Sequence, residues 1–145
     1  MKKIILVVFV LLLGCSGKAQ PHSIENLFVS SKGQAKQLPE VIKLFNHNLY
    51  WGSLEQAAEY IVPENRSQFV RNAKSKRETE KLVDLEIGYI DFSDNNDSAT
   101  VDIKVKYYRV PNYIIETRYD QQRWSFSRYS GGWLLENYQL DVATP

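Results

Sequence analysis

The hydrophobic pattern of this chain changes period once, near residue 82. Before that point apolar residues recur at helical spacing. Val41, Leu44, Phe45 and Asn48 to Leu49 fall on one face of a helix predicted to start near Pro39 and to stop at Gly52. Ser53-Leu54-Glu55-Gln56 reads as a capping box: the serine hydroxyl accepts from the Gln56 amide, and the glutamine side chain reaches back. Leu54, Ala57, Ala58 and Ile61 form the buried face of that second helix. Pro63 ends it, and Pro63-Glu64 opens a third helix with Phe69, Val70 and Ala73 as its apolar positions.

Beyond residue 82 the period is two. Val83, Leu85, Ile87 and Tyr89 alternate with Asp84, Glu86 and Gly88, then Val101, Ile103, Val105 and Tyr107 alternate with Asp102, Lys104, Lys106 and Tyr108. The cluster Ser93-Asp94-Asn95-Asn96-Asp97 separates these strands as a turn. It lacks the length and distal glutamate of a calcium loop. Val110-Pro111-Asn112 is a second turn, leading into a strand from Tyr113 to about Ser127. The parity of that strand is irregular at Gln121-Gln122, which predicts a bulge or bend there. Ser130-Gly131-Gly132 turns the chain into a last strand from Trp133 to about Leu140. Helices first and four short-linked strands after them define an α+β fold, with the N-terminal helices packed on one face of a curved antiparallel sheet of about four strands.

The N-terminal stretch follows neither period. Met1-Lys2-Lys3 precedes an unbroken apolar run from Ile4 to Leu13, which is a signal-peptide pattern too short for a membrane span. Residues 16 to about 36 are polar and rich in Ser, Gly and Gln, with the apolar patch Ile24 to Val29 inside them. This organisation predicts a signal peptide over 1–14, a tether over 15–36 and one folded domain over 37–145. Leu12-Leu13-Gly14-Cys15 resembles the bacterial lipobox, in which the cysteine receives a diacylglyceryl group and cleavage falls on its N-terminal side. That resemblance implies a palmitate-type acyl anchor on Cys15 and attachment to a bilayer in the bacterial envelope. Ser16 after the cysteine resembles an outer-membrane address. The competing reading is a cut after Ala19, which would discard Cys15 and release a soluble protein.

Composition narrows the function little. Among 145 residues, 43% are hydrophobic and 24% charged, and the formal net charge is +1, so no global field would draw the chain onto nucleic acid. Cys15 is the single cysteine, which excludes an internal disulfide and a cysteine zinc site. No metal or cofactor is expected.

Three further stretches resemble the nuclear transport factor two-like superfamily, also called cystatin-like or SnoaL-like. Leu49-Tyr50-Trp51-Gly52-Ser53-Leu54 is similar to the turn between its first two helices, the segment Val101 to Pro111, ending Tyr107-Tyr108-Arg109-Val110-Pro111, to a strand of its meander, and Gln122-Arg123-Trp124 with Gly131-Gly132-Trp133-Leu134-Leu135 to its last hairpin. The resemblance covers residues from about 37 to 140. It implies a cone formed by curved sheet and helices, in a superfamily that mixes isomerases, dehydratases and binding modules. No complete set of its catalytic residues falls on matching positions, so none is carried over.

Candidate chemistry is therefore sparse. His22 lies in the tether, and His47 lies off the main apolar face without a carboxylate partner nearby in sequence, so neither is assigned catalysis. Tyr50, Trp51, Tyr60, Tyr89, Tyr107, Tyr119, Trp124 and Trp133 are the aromatic residues that could line a pocket, although a packed cone is the favoured expectation. Glu116 and Arg118 share one face of the third strand, expected to point outward as a cross-strand charge ladder. The basic run Arg66, Arg71, Lys74, Lys76, Arg77 and Lys81 is expected to be a solvated helix face, with Lys74–Glu78 and Lys76–Glu80 at ion-pair spacing. The leading expectation is a non-enzymatic envelope lipoprotein that binds or assembles. A small-molecule carrier or lyase/isomerase-type enzyme using the cone interior is the second. Homodimerisation through the sheet face, with Tyr108, Ile115 and Phe126 in an apolar patch, is the third.

Overall fold

The computed structural model describes residues 31–139. The signal peptide, Cys15, His22 and most of the tether lie outside the described residues. Three helices, α1 (Ser31–Tyr50), α2 (Leu54–Ala58) and α3 (Arg66–Thr79), precede four strands, β1 (Glu80–Phe92), β2 (Ser98–Arg109), β3 (Glu116–Ser127) and β4 (Gly132–Gln139). The strands form one antiparallel sheet in the order β1-β2-β3-β4, with the helices on one face, the α+β layout of the sequence pattern.

Helix α1 begins at Ser31, well before Pro39, which sits inside it. Its early turns hold because they dock: Gln34 is buried, and its carbonyl accepts a 2.9 Å hydrogen bond from the Trp133 indole on β4. The buried face is Leu38, Ile42, Phe45 and Leu49, whereas Leu44 is 45% exposed. Helix α1 stops where predicted, with the Trp51 and Gly52 amides both returning to the His47 carbonyl. The Arg77 side chain then reaches from α3 to the carbonyls of Asn48, Leu49 and Gly52, satisfying acceptors that the helix end leaves open. Ser53 accepts from the Gln56 amide at 3.3 Å, but its hydroxyl donates to Glu55, so the reciprocal glutamine bond is replaced.

The sheet departs from simple alternation in two strands. Strand β1 shifts register against β2 between Leu82 and Asp84 and again between Ile87 and Ile90. Each shift inserts one extra residue and reverses the facing, so Leu82, Leu85, Ile87, Ile90 and Phe92 pack inward while Val83 and Tyr89 are exposed. The bulge expected at Gln121-Gln122 is instead in β4. Arg123 pairs with Asn137 and Trp124 with Leu135, which leaves Glu136 over. Strand β3 itself alternates strictly, with Arg118, Asp120, Gln122 and Trp124 all buried.

The core lies between the sheet and α1–α2. Phe45 meets the Trp124 ring edge-on at 5.3 Å, and Trp133 does the same with Phe126 at 5.6 Å. Phe126 thus belongs to the inner face, not to an outward patch with Tyr108 and Ile115. The outer face carries the ion pairs Lys106–Asp84 at 3.1 Å and Lys104–Glu86 at 3.3 Å, so the cross-strand ladder exists, but between β1 and β2. No helix of the described residues is long and apolar enough to cross a membrane.

Candidate ligand site

Helix α3 does not close onto the sheet along its whole length. A cavity of about 240 Å³ lies between them, walled by Phe69, Ala73, Lys76 and Arg77 of α3, Leu49 and Tyr50 of α1, and sheet residues from all four strands. The sheet supplies Glu80 and Leu82 from β1, Val105 and Tyr107 from β2, Arg118 from β3 and Tyr138 from β4. Leu49, Phe69, Ala73, Leu82 and Val105 make the cavity largely apolar, and a few polar groups converge on its floor, the usual composition of a small-molecule site.

That floor is organised by Arg118. Its guanidinium is buried, so it must be paired to be tolerated. Nε donates to both oxygens of Asp120 at 3.0 Å, and Nη1 donates to Glu80. The Tyr107 ring lies 4.6 Å beneath it as a cation–π face. Burial alone would lower the Arg118 pKa, but Asp120 and Glu80 outweigh it and hold the group firmly protonated. Burial likewise pushes the Glu80 carboxyl up, and the Arg118 hydrogen bond and charge, with Lys76 and Arg109, bring it below the ordinary value.

Asp120 is fully buried and anchors a second line of hydroxyls. Tyr138 donates to its Oδ2 at 3.1 Å, and the Tyr50 hydroxyl lies 2.7 Å from that of Tyr138. Because the single Tyr138 proton is committed to Asp120, Tyr50 is the donor in that pair. Burial raises both phenols; for Tyr138 the neighbouring Tyr50 and Asp120 add to it and the shift is large. At the rim, Tyr107 donates to Glu116 at 3.0 Å and Arg109 pairs with Glu116 at 3.1 Å.

The aromatic residues singled out in the sequence divide between three places. Tyr50 and Tyr107 line the cavity. Trp124 and Trp133 are buried in the closed core, and Tyr60 packs edge-on against Phe45 and Trp124. Trp51, Tyr89 and Tyr119 are exposed. His47 is exposed too, beside the Trp51 ring. The expected outward placement of Arg118 is overturned: it is 5% exposed, while Glu116 of the same face stays at the rim. The basic helix face is also only partly solvated. Arg71 and Lys74 are exposed, Arg77 caps α1, and Lys76 enters the cavity wall. Tyr138 carried no sequence signal beyond its strand, and Asp120 carried a faint one. An Arg-x-Asp pair at period two was the readable hint, since two opposite charges on one strand face can neutralise each other. Among the described residues, no group of three metal-ligating side chains could hold a metal ion.

The same fold occurs in solved structures. A ketosteroid isomerase-like protein from Erwinia carotovora atroseptica superposes with a TM-score of 0.58 at 11% identity, over 77% of this chain and 98% of that one. A protein described as a dehydratase of the NTF2-like family, from Streptomyces avermitilis, gives 0.56 at 15% identity over 78% and 99%. A protein of unknown function with a cystatin-like fold, from Nostoc punctiforme, gives 0.55 at 10% identity over 74% and 90%. The fold is therefore cystatin-like, or NTF2-like. At these identities the likeness speaks for the fold and not for the chemistry. No protein-family model matches the chain, and no curated protein does.

Proposed function

We propose that this protein is an acyl-anchored lipoprotein of the bacterial envelope whose NTF2-like domain binds a small molecule in the cavity under α3. The cavity is the observation that carries the binding reading. It is largely apolar, open to solvent and lined also by convergent polar side chains, among them Tyr50, Lys76 and Arg118. Packing has filled the other half of the cone with Trp124, Phe45 and Trp133, so the gap is local. Binding is favoured over catalysis because a general base needs a free lone pair and a pKa near the working pH. Glu80 is held below its ordinary pKa and engaged by Arg118, and Asp120 is occupied by Arg118 and Tyr138.

The anchor rests on Leu12-Leu13-Gly14-Cys15 and on the basic and apolar residues before it. Two or three acyl chains, each buried methylene contributing about 0.8 kcal/mol, would hold the domain at a bilayer durably, the outer membrane by the Ser16 criterion. Replacing Cys15 by Ala removes labelling by an alkyne palmitate analogue; label that persists contradicts the anchor. Replacing Ala73 by Phe fills the cavity from α3 and should abolish binding of small apolar probes at an unchanged fold. Probe binding that survives this substitution contradicts the cavity reading.

A further inference from the structure

The charges around the cavity do not cancel. Lys76, Arg77 and Arg118 line it against a single lining carboxylate, Glu80. Asp120 behind Arg118 removes one positive charge, and Arg109 and Glu116 at the rim neutralise each other. One positive charge is left over. It is not Arg77, whose Nε, Nη1 and Nη2 each point at a carbonyl that ends α1. It is best assigned to Lys76. The ammonium forms an ion pair with Glu80 at 3.6 Å, through the same carboxylate oxygen that Arg118 holds more closely, so one carboxylate serves two cations there. Arg118 stands beside it in the same lining: its Nε and Nη1 bond Asp120 and Glu80, and its charge and hydrogen bonding also act on the Tyr50 hydroxyl, so a bound anion shares the guanidinium with those groups. Desolvation, and then repulsion from Arg118, lowers the Lys76 pKa, a cost that a bound anion would relieve.

Size limits the anion. A water takes about 30 Å³ of liquid volume and a methylene slightly less, so a cavity of about 240 Å³ accommodates a ligand of about eight to ten heavy atoms. Resting on the binding reading above, we infer that the site takes a monoanionic amphiphile of that size, a short alkyl or aryl carboxylate. Its acid group sits on Lys76 and Arg118, and its apolar body lies against Leu49, Phe69, Leu82 and Val105.

The test uses the full chain in phosphatidylcholine nanodiscs and three probes of one length: octanoate, octanol and octylammonium, titrated calorimetrically against empty nanodiscs as blank. Octanoate should bind at least tenfold more tightly than either other probe. Lys76→Met should remove that preference while octanol still binds, which also reports that the cavity is intact. If Lys76→Met does not fold, Lys76→Gln replaces it. Equal affinity for octanoate and octanol in the unaltered chain overturns the anion assignment and leaves the cavity reading standing. A preference that survives both Lys76 variants overturns the role of Lys76. Failure of all three probes to bind overturns the cavity reading and the inference with it.

Discussion

The inner face of β3 carries Arg118, Asp120, Gln122 and Trp124 in one row, and the two ends of that row have different fates. At the Trp124 end, α1 and α2 close over the sheet. Phe45 stacks edge-on to the indole, and the buried polar neighbour Gln122 is satisfied by the equally buried Asn46 at 2.8 Å and by the Trp124 indole at 3.2 Å. At the Arg118 end, charged groups satisfy one another sideways along the sheet, from Glu80 through Arg118 to Asp120 and Tyr138. The helices join this network only at its edges, through Lys76 of α3 and the Tyr50 hydroxyl of α1, and a cavity remains there. This cone is filled where its sheet presents rings and left hollow where its sheet presents charges paired mainly along the sheet.

The two ends should respond differently to substitution. Arg118→Leu strands the buried Asp120 carboxylate and should cost about 3–5 kcal/mol in urea unfolding. The double variant Arg118→Leu/Asp120→Leu should recover much of that loss, because a compensated pair is removed whole. A double variant no better than the single one would mean that the network is not self-contained. Trp124→Ala should cost about 3–5 kcal/mol through the cavity it opens, with no rescue available from a neighbouring substitution. Asn46→Leu leaves the Gln122 amide without its partner and should cost about 1–3 kcal/mol by the same measurement.

A smaller effect concerns pH. Glu80 has a folded pKa below its unfolded value of 4.5. Its contribution is fully present above that value and is lost as pH falls through the folded pKa. Stability measured between pH 5 and about 2 should therefore fall less steeply in Glu80→Gln than in the unaltered chain. Smallest of all, Lys106→Ala breaks an outer-face ion pair whose two side chains are both exposed, and its melting temperature should match the parent within error.

Much of this architecture was legible because it follows local rules. The alternation of Val101, Ile103, Val105 and Tyr107 gave the central strand, and all four are buried. The Ser53 cap and the Pro63 break lie where composition puts them. Three features were hidden, each for a physical reason. The start of α1 is held by Trp133, almost a whole domain away in sequence, so the polar run before Pro39 read as tether. The facing of β1 reverses at its bulges, which no period-two pattern encodes. The site itself inverts the expectation that charge faces water. Arg118 is inside because Glu80, 38 residues earlier, and Asp120 meet it there, and long-range charge pairing leaves no periodic trace. Tyr50 and Tyr107 were found as aromatics; Asp120, Tyr138 and Lys76 became a site only when the strands and α3 were brought together.

The hollow-versus-filled contrast is tested most directly by nuclear Overhauser contacts between bound octanol and the methyl groups of the full chain. Contacts should appear to Leu82, Val105 and Ala73 and be absent for Val101, Ile42 and Leu135. Contacts spread over both sets, or confined to the second, would contradict the account.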